Sequence, residues 1–233
     1  MKLIQLEMKK ISLAPYLLAS VLIPLAALAL VELVAYAPQI DPSILVTDPE
    51  MGTYQFLFFI SFVINVSGFA CLGTALLGKV IMESYNDQYI YLTLSYPIAR
   101  KKVLWAKIVF CTLFSGIGVF VGSLFTNLLF FVSESLFSVV NDSLSFSVMI
   151  DQMPLLLASV VLVVSISLIS LAIGWWKKSL ALAIVSAMVL CSVPSNLVAV
   201  GGEGIVAVIS GFLLMMSLGV ILMVTKKVSR LEA

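Results

Sequence analysis

The chain has no histidine, only three cysteines, and few charges: 13 basic and 12 acidic residues, 11% of 233. Without imidazole there are no histidine-bearing zinc sites and no Ser-His or Cys-His hydrolytic dyads, which excludes most familiar intramembrane enzyme chemistries. Cys71, Cys111 and Cys191 sit singly inside apolar runs without Cys-x-x-Cys spacing, so neither a disulfide framework nor a thiolate metal site is indicated. Charge is too sparse to cover a water-facing surface, where about 25% charged residues is usual. What fills the chain instead is apolar: 62% hydrophobic residues and a mean hydropathy of +1.18. These values describe a membrane protein.

A helix needs roughly 20 apolar residues to cross the hydrocarbon core. Six segments qualify, at 13–36, 55–78, 106–132, 154–174, 179–199 and 205–225. The sequence therefore predicts an all-α polytopic protein, with 1–233 forming one transmembrane domain. Threading six spans places every one of the 13 cations on one side: Lys2, Lys9 and Lys10; Lys79, Arg100, Lys101, Lys102 and Lys107; Lys177 and Lys178; Lys226, Lys227 and Arg230. Retention of Lys and Arg in the cytoplasm sets orientation, so both termini are expected inside. Glu32, Asp41, Asp48, Glu50, Glu134, Asp142, Asp151 and Glu203 fall at or near the outer side. Signal-peptide cleavage after Ala27-Leu28-Ala29 would leave five spans with the same charge partition. The apolar run that continues through Leu30-Val31, and Glu7 in the leader, favour an uncleaved first span.

Residues 2–12 alternate Lys2, Gln5, Lys9 and Ser12 with Ile4, Met8 and Ile11 at helical spacing, the pattern of a short amphipathic helix on the inner leaflet. The outer segments, 37–54 and 133–153, are too short for folded domains. The second mixes apolar and polar residues as an interfacial helix would, and a tight turn is expected around Gly201-Gly202-Glu203-Gly204. No internal repeat relates the two halves, unlike many secondary transporters. Ionisable groups are nearly absent from the spans. Glu32 is the one candidate, close enough to the outer end to reach the headgroups. Asn65, Asn127, Ser165, Ser167 and Ser170 are polar positions suited to interhelical hydrogen bonds; Asn65 and Asn127 are also candidates for lining a substrate path. Gly118-x-x-x-Gly122 permits close helix approach.

Residues 73–80, Gly-Thr-Ala-Leu-Leu-Gly-Lys-Val, come within one residue of a phosphate-binding loop. Val80 stands where a magnesium-binding hydroxyl is needed and no strand precedes the glycines, so this chain is not expected to bind ATP. The long connection at 79–105 is more informative. Ser84 and Asp87 have capping-box spacing, Tyr89, Tyr91, Leu92 and Tyr96 supply large apolar bodies, Pro97 stops the helix, and Arg100 to Lys102 form a basic cluster. Such aromatic anchors suit either a protein partner or the headgroup layer.

Here the chain resembles the membrane subunits of type-2 ABC exporters (the ABC-2 permease class). Their pattern between spans two and three is a Glu, a short Leu-rich helix, a Pro, a basic residue and a Lys opening span three. Glu83, the run Ile90 to Leu94, Pro97, Arg100 and Lys107 correspond, over about 25 residues. The Gly-Thr that commonly follows the Glu is replaced by Asn86-Asp87-Gln88. The resemblance implies a permease with no catalytic site and no bound metal or cofactor of its own. It would pair with a second protomer, identical or similar, and dock ABC ATPase subunits that carry ATP and magnesium. It implies a multi-pass protein of a prokaryotic cytoplasmic membrane, with no nucleic-acid partner. Glu83, Asp87, Tyr89, Tyr91, Leu92, Tyr96, Pro97 and Arg100 would form the ATPase-coupling segment. A gradient-driven secondary transporter or an accessory membrane protein is the alternative.

Overall fold

The structure, a computed structural model, describes residues 13–43, 52–82, 100–137 and 152–229, with side chains for all of these except 100–102, 197–203, 224 and 226–229. Among the described residues there are five helices and no strand: α1 (Ala14–Ile40), α2 (Tyr54–Leu77), α3 (Arg100–Phe137), α4 (Met153–Lys177) and α5 (Leu180–Ser229). Five stretches are long and apolar enough to cross a membrane, and Leu180–Asn196 is a shorter apolar helix. Among the described residues the chain is all-helical, with the several long apolar helices of a multi-pass membrane protein.

Local chemistry sets most helix ends. Pro15 and Pro154 occupy first-turn positions in α1 and α4, where their missing N–H costs nothing. Thr53 caps α2 by accepting from the Phe56 amide at 3.4 Å. Past α1, Asp41 Oδ1 accepts from the Ser43 amide and hydroxyl at 3.0 and 2.6 Å. Those two bonds hold the Asp41 carboxyl below its usual value.

Two helices form the centre. The apolar windows of α2 and α4 are 56% and 61% buried, against 17% for α1 and 22% for the second arm of α5. Lipid tails are as apolar as leucine, so helix association depends on close packing and hydrogen bonds rather than on escape from water. Gly73 shows the result: a Cβ there would lie 2.7 Å from Ser167 Oγ and 2.9 Å from Ser115 Cβ, so α2, α3 and α4 approach one another most closely through its bare backbone.

The elements differ from the sequence expectation in two places. α3 has 38 residues, about 57 Å at 1.5 Å per residue, and so overruns the hydrocarbon core. The connection expected at 79–105 is correspondingly shortened, since 78–82 and 100–105 are helical. Hydropathy marks where a helix enters lipid, whereas helical hydrogen bonding continues into the polar layer.

In the second case, α5 is helical throughout Leu180–Ser229, with no loop at Gly201 to Gly204. Straight, 50 residues would span about 75 Å. Yet Leu180 lies against Gly78, and Val220 and Ile221 pack on the cluster of Leu77, Val80, Ile81 and Leu104 at that same end. The run therefore doubles back, and its two arms lie antiparallel. Gly201 to Gly204, where the sequence predicts a tight turn, lie within this helical run, and a Cβ at Gly204 would meet nothing within 4 Å.

Candidate functional site

One end of the bundle gathers the described cations. Lys79 ends α2, Arg100 to Lys102 begin α3, Lys177 and Lys178 close α4, and Lys226 and Lys227 lie near the end of α5. Here α2 finishes in a π-helical turn, Gly78–Met82. Such turns displace backbone carbonyls from the α-helical ladder and frequently mark functional positions. Lys107 of α3, 6% exposed, directs its Nζ to the Val80 carbonyl at 3.5 Å. Gly78 provides the room for Leu180 of α5, whose Cδ1 would stand 2.2 Å from a Cβ at that position. The π turn is thus contacted from both α3 and α5. Gly73 and Gly78, the glycines of the phosphate-loop-like string, are helical packing positions facing neighbouring helices.

Glu83, Asp87, Tyr89, Tyr91, Leu92, Tyr96 and Pro97 lie outside the described residues, as does the amphipathic segment 2–12. Arg100 is the first residue of α3. The described helices on either side of this segment end at Met82 and begin at Arg100, with the Lys107–Val80 contact tying the two helices together.

Asn65 and Asn127 sit together in a buried seam between α2 and α3. Ser61 Oγ donates to Asn127 Oδ1 at 2.8 Å, and Asn65 Nδ2 donates to the Ser61 carbonyl at 2.9 Å and to Thr126 Oγ1 at 3.4 Å. Thr126 Oγ1 in turn donates to the Pro24 carbonyl at 3.2 Å, bringing in α1. Asn65 Oδ1 is buried and has no hydrogen-bond partner among the described residues. Beside the seam, Ser61, Ser123, Asn127 and Gln152 border a void of about 10 Å³. That is close to the smallest space that holds one water. In a double-mutant cycle, Ser61→Ala with Asn127→Leu is expected to show about 0.6 kcal/mol of coupling, typical of interhelical hydrogen bonds in membranes. Equilibrium unfolding in mixed micelles measures it, and zero coupling would remove the seam from the packing account.

The large cavity lies elsewhere. An apolar groove of about 690 Å³ separates α1 from α3, lined by Ser20, Pro24, Phe114, Ile117, Val121 and Phe125 among others. Neither Asn65 nor Asn127 lines it. Its floor includes Gly118 and Gly122, which also seat the ring of Phe69 from α2. The Gly-x-x-x-Gly spacing thus serves packing within the chain.

Comparison with known proteins gives one partial match. Over 108 residues, 46% of this chain and 45% of the relative, the sequence is 27% identical to the uncharacterized protein YcbO of Bacillus subtilis (strain 168). The match covers less than half of either protein. No protein-family model matches the chain, and no solved structure matches it.

At the opposite end of the bundle are two carboxylates that hydropathy alone assigned to the outer margin. Glu32 of α1, half-buried, accepts from Ser133 Oγ of α3. Glu134, 4% exposed, accepts from the Tyr54 hydroxyl of α2 at 3.1 Å. Phe130 packs edge-on against Tyr54 and Phe58, with ring centroids 6.5 and 6.0 Å apart. Sequence reasoning missed the Tyr54–Glu134 pair. The available signal was Ser133-Glu134-Ser135 embedded between Phe130 and Phe137.

Proposed function

We propose that this chain is the membrane subunit of an ATP-driven exporter of the ABC-2 class. In this reading it crosses the cytoplasmic membrane of a prokaryote six times, with both termini inside, and works as a homo- or heterodimer docked to separate ABC ATPase subunits. The observation that carries it is the junction at the cationic end. The pattern from Glu83 to Arg100 connects two helices whose ends are joined by Lys107 and the Val80 carbonyl. A push on the segment between them is thereby delivered to α2 and α3 together, and through Leu180 on Gly78 to α5. Discrete packed helices respond to such a push by rigid shifts. The closure of an ATPase pair would be converted into a change of the path between protomers. Collection of the cations at one end supports the orientation, because Lys and Arg are retained in the cytoplasm.

A gradient-driven carrier is the second reading, favoured by Glu134 and Glu32 inside the helix bundle. The full chain, purified from its native membrane in mild detergent, separates the two. The exporter reading expects a stoichiometric soluble ATPase and ATP hydrolysis in the preparation. A chain that purifies alone, hydrolyses nothing, and drives solute flux in vesicles under a proton gradient overturns it.

A further inference from the structure

The α4–α5 junction is built from two overlapping caps. Lys178 takes the left-handed conformation (φ 51°, ψ 34°), and its amide and that of Ser179 return to the Trp175 and Gly174 carbonyls at 3.3 and 3.1 Å. This is the Schellman arrangement, in which glycine is the usual residue at the left-handed position. Ser179 Oγ then caps α5 by accepting from the Leu182 amide at 3.4 Å. Gly174 makes the turn tight, since a Cβ there would lie 2.5 Å from Ala183 Cβ. Two residues join the helices, and α4, with 25 residues, is about 37 Å long, more than the roughly 30 Å hydrocarbon core and less than the roughly 40–45 Å of a bilayer with its headgroups, which puts the turn at its end in the headgroup layer. On it stand three exposed side chains: Trp176, 79% exposed, Lys177, whose Nζ lies 5.5 Å from the Trp176 ring centre, and Lys178.

We propose that this turn is a binding site for the headgroup of an anionic phospholipid. Lys177 and Lys178 supply the positive charge for its phosphate, and the Trp176 indole lies at the glycerol level beside them. Charge complementarity selects the ligand, and the depth of the turn selects the source. A soluble protein would have to enter the headgroup layer to reach these lysines, whereas a lipid is already there. The turn is held by the two backbone bonds of the first cap and by Ser179 Oγ at the second, so the backbone that carries both lysines is fixed. Leucine or glutamine at 177 and 178 would leave the fold of the turn unchanged but remove this function.

The test uses the full chain with Trp105→Phe and Trp175→Phe, so that Trp176 alone fluoresces, reconstituted in mixed vesicles of phosphatidylglycerol and phosphatidylcholine in which either the one lipid or the other is brominated. Quenching is expected to favour the anionic lipid by roughly five-fold per lysine. Lys177→Gln with Lys178→Gln should abolish the preference. Lys226→Gln with Lys227→Gln, the same loss of charge elsewhere on that end, should retain it. Inorganic phosphate at matched ionic strength should not displace the lipid. Equal quenching by both lipids, equal sensitivity to the two lysine pairs, or displacement by phosphate would each overturn the site. If the tryptophan substitutions prevent folding, the same comparison in the chain with all three tryptophans reads the difference.

Discussion

Replacing Gly118 and Gly122 by alanine should destabilise the folded chain by about 1–3 kcal/mol at each site, the usual cost of overpacking a filled interior. A Cβ at Gly118 would stand 2.8 Å from Phe69 Cε1, and one at Gly122 would stand 2.8 Å from Phe69 Cε2 and 2.9 Å from Pro24 Cγ. Neither obstacle is the free end of a flexible side chain. The Phe69 ring is fully buried, and Pro24 is part of a helix backbone. The decisive measurement is the cross-comparison. Gly118→Ala should be largely rescued by Phe69→Leu, because the ring is its one close contact. Gly122→Ala should be only partly rescued, because Pro24 remains. Thermal midpoints in detergent, with the oligomeric state followed in parallel, read both effects. Unchanged stability with a dissociated dimer would show that the two glycines face a second copy, and the assignment to Phe69 would be lost.

The second large effect concerns the segment between Met82 and Arg100. On the exporter reading, Tyr89→Ala together with Tyr91→Ala should detach the proposed ATPase subunits while leaving the chain inserted. Buried aromatic anchors cost about 2 kcal/mol or more when truncated, roughly thirty-fold in affinity for each. Glu83→Ala should lower ATP-driven transport in the same direction. The control is Tyr36→Ala at the far end of α1, which should leave partner binding intact. Partner stoichiometry after affinity purification and ATP-dependent uptake into inverted vesicles are the readouts. Full transport by both the tyrosine pair and the Glu83 variant would remove the coupling role from this segment and with it the main argument for an exporter.

Membrane helices are legible in sequence because the bilayer imposes one rule on all of them, and the positions of α1 to α4 follow from it. The sorting of cations is legible too: Lys177 and Lys178 sit between two apolar runs, and both the six-span threading and its five-span cleaved variant put them with Lys79 and Lys107. Contacts are a different matter. That Phe69 would fill the Gly118–Gly122 notch, or that Tyr54 would find Glu134 eighty residues away, depends on helix rotation. Every face of these helices is apolar, so periodicity carries no information about which side turns inward. The glycine cluster in α5 is legible as a turn, but not as part of a continuing helix. The coupling role proposed for Glu83 to Pro97 rests on sequence pattern alone, since these residues lie outside the described ones.

Pro24 gives α1 a mechanical character of its own. A proline has no amide hydrogen, so the Ser20 carbonyl one turn earlier lacks its helical donor, and α1 is one backbone bond short at mid-depth. The facing helix, α3, contains no proline. The two walls of the 690 Å³ groove therefore differ: the α1 wall lacks a backbone bond at a proline, and the α3 wall does not. The Thr126 hydroxyl, donating to the Pro24 carbonyl, ties the two walls together at the level of that missing bond.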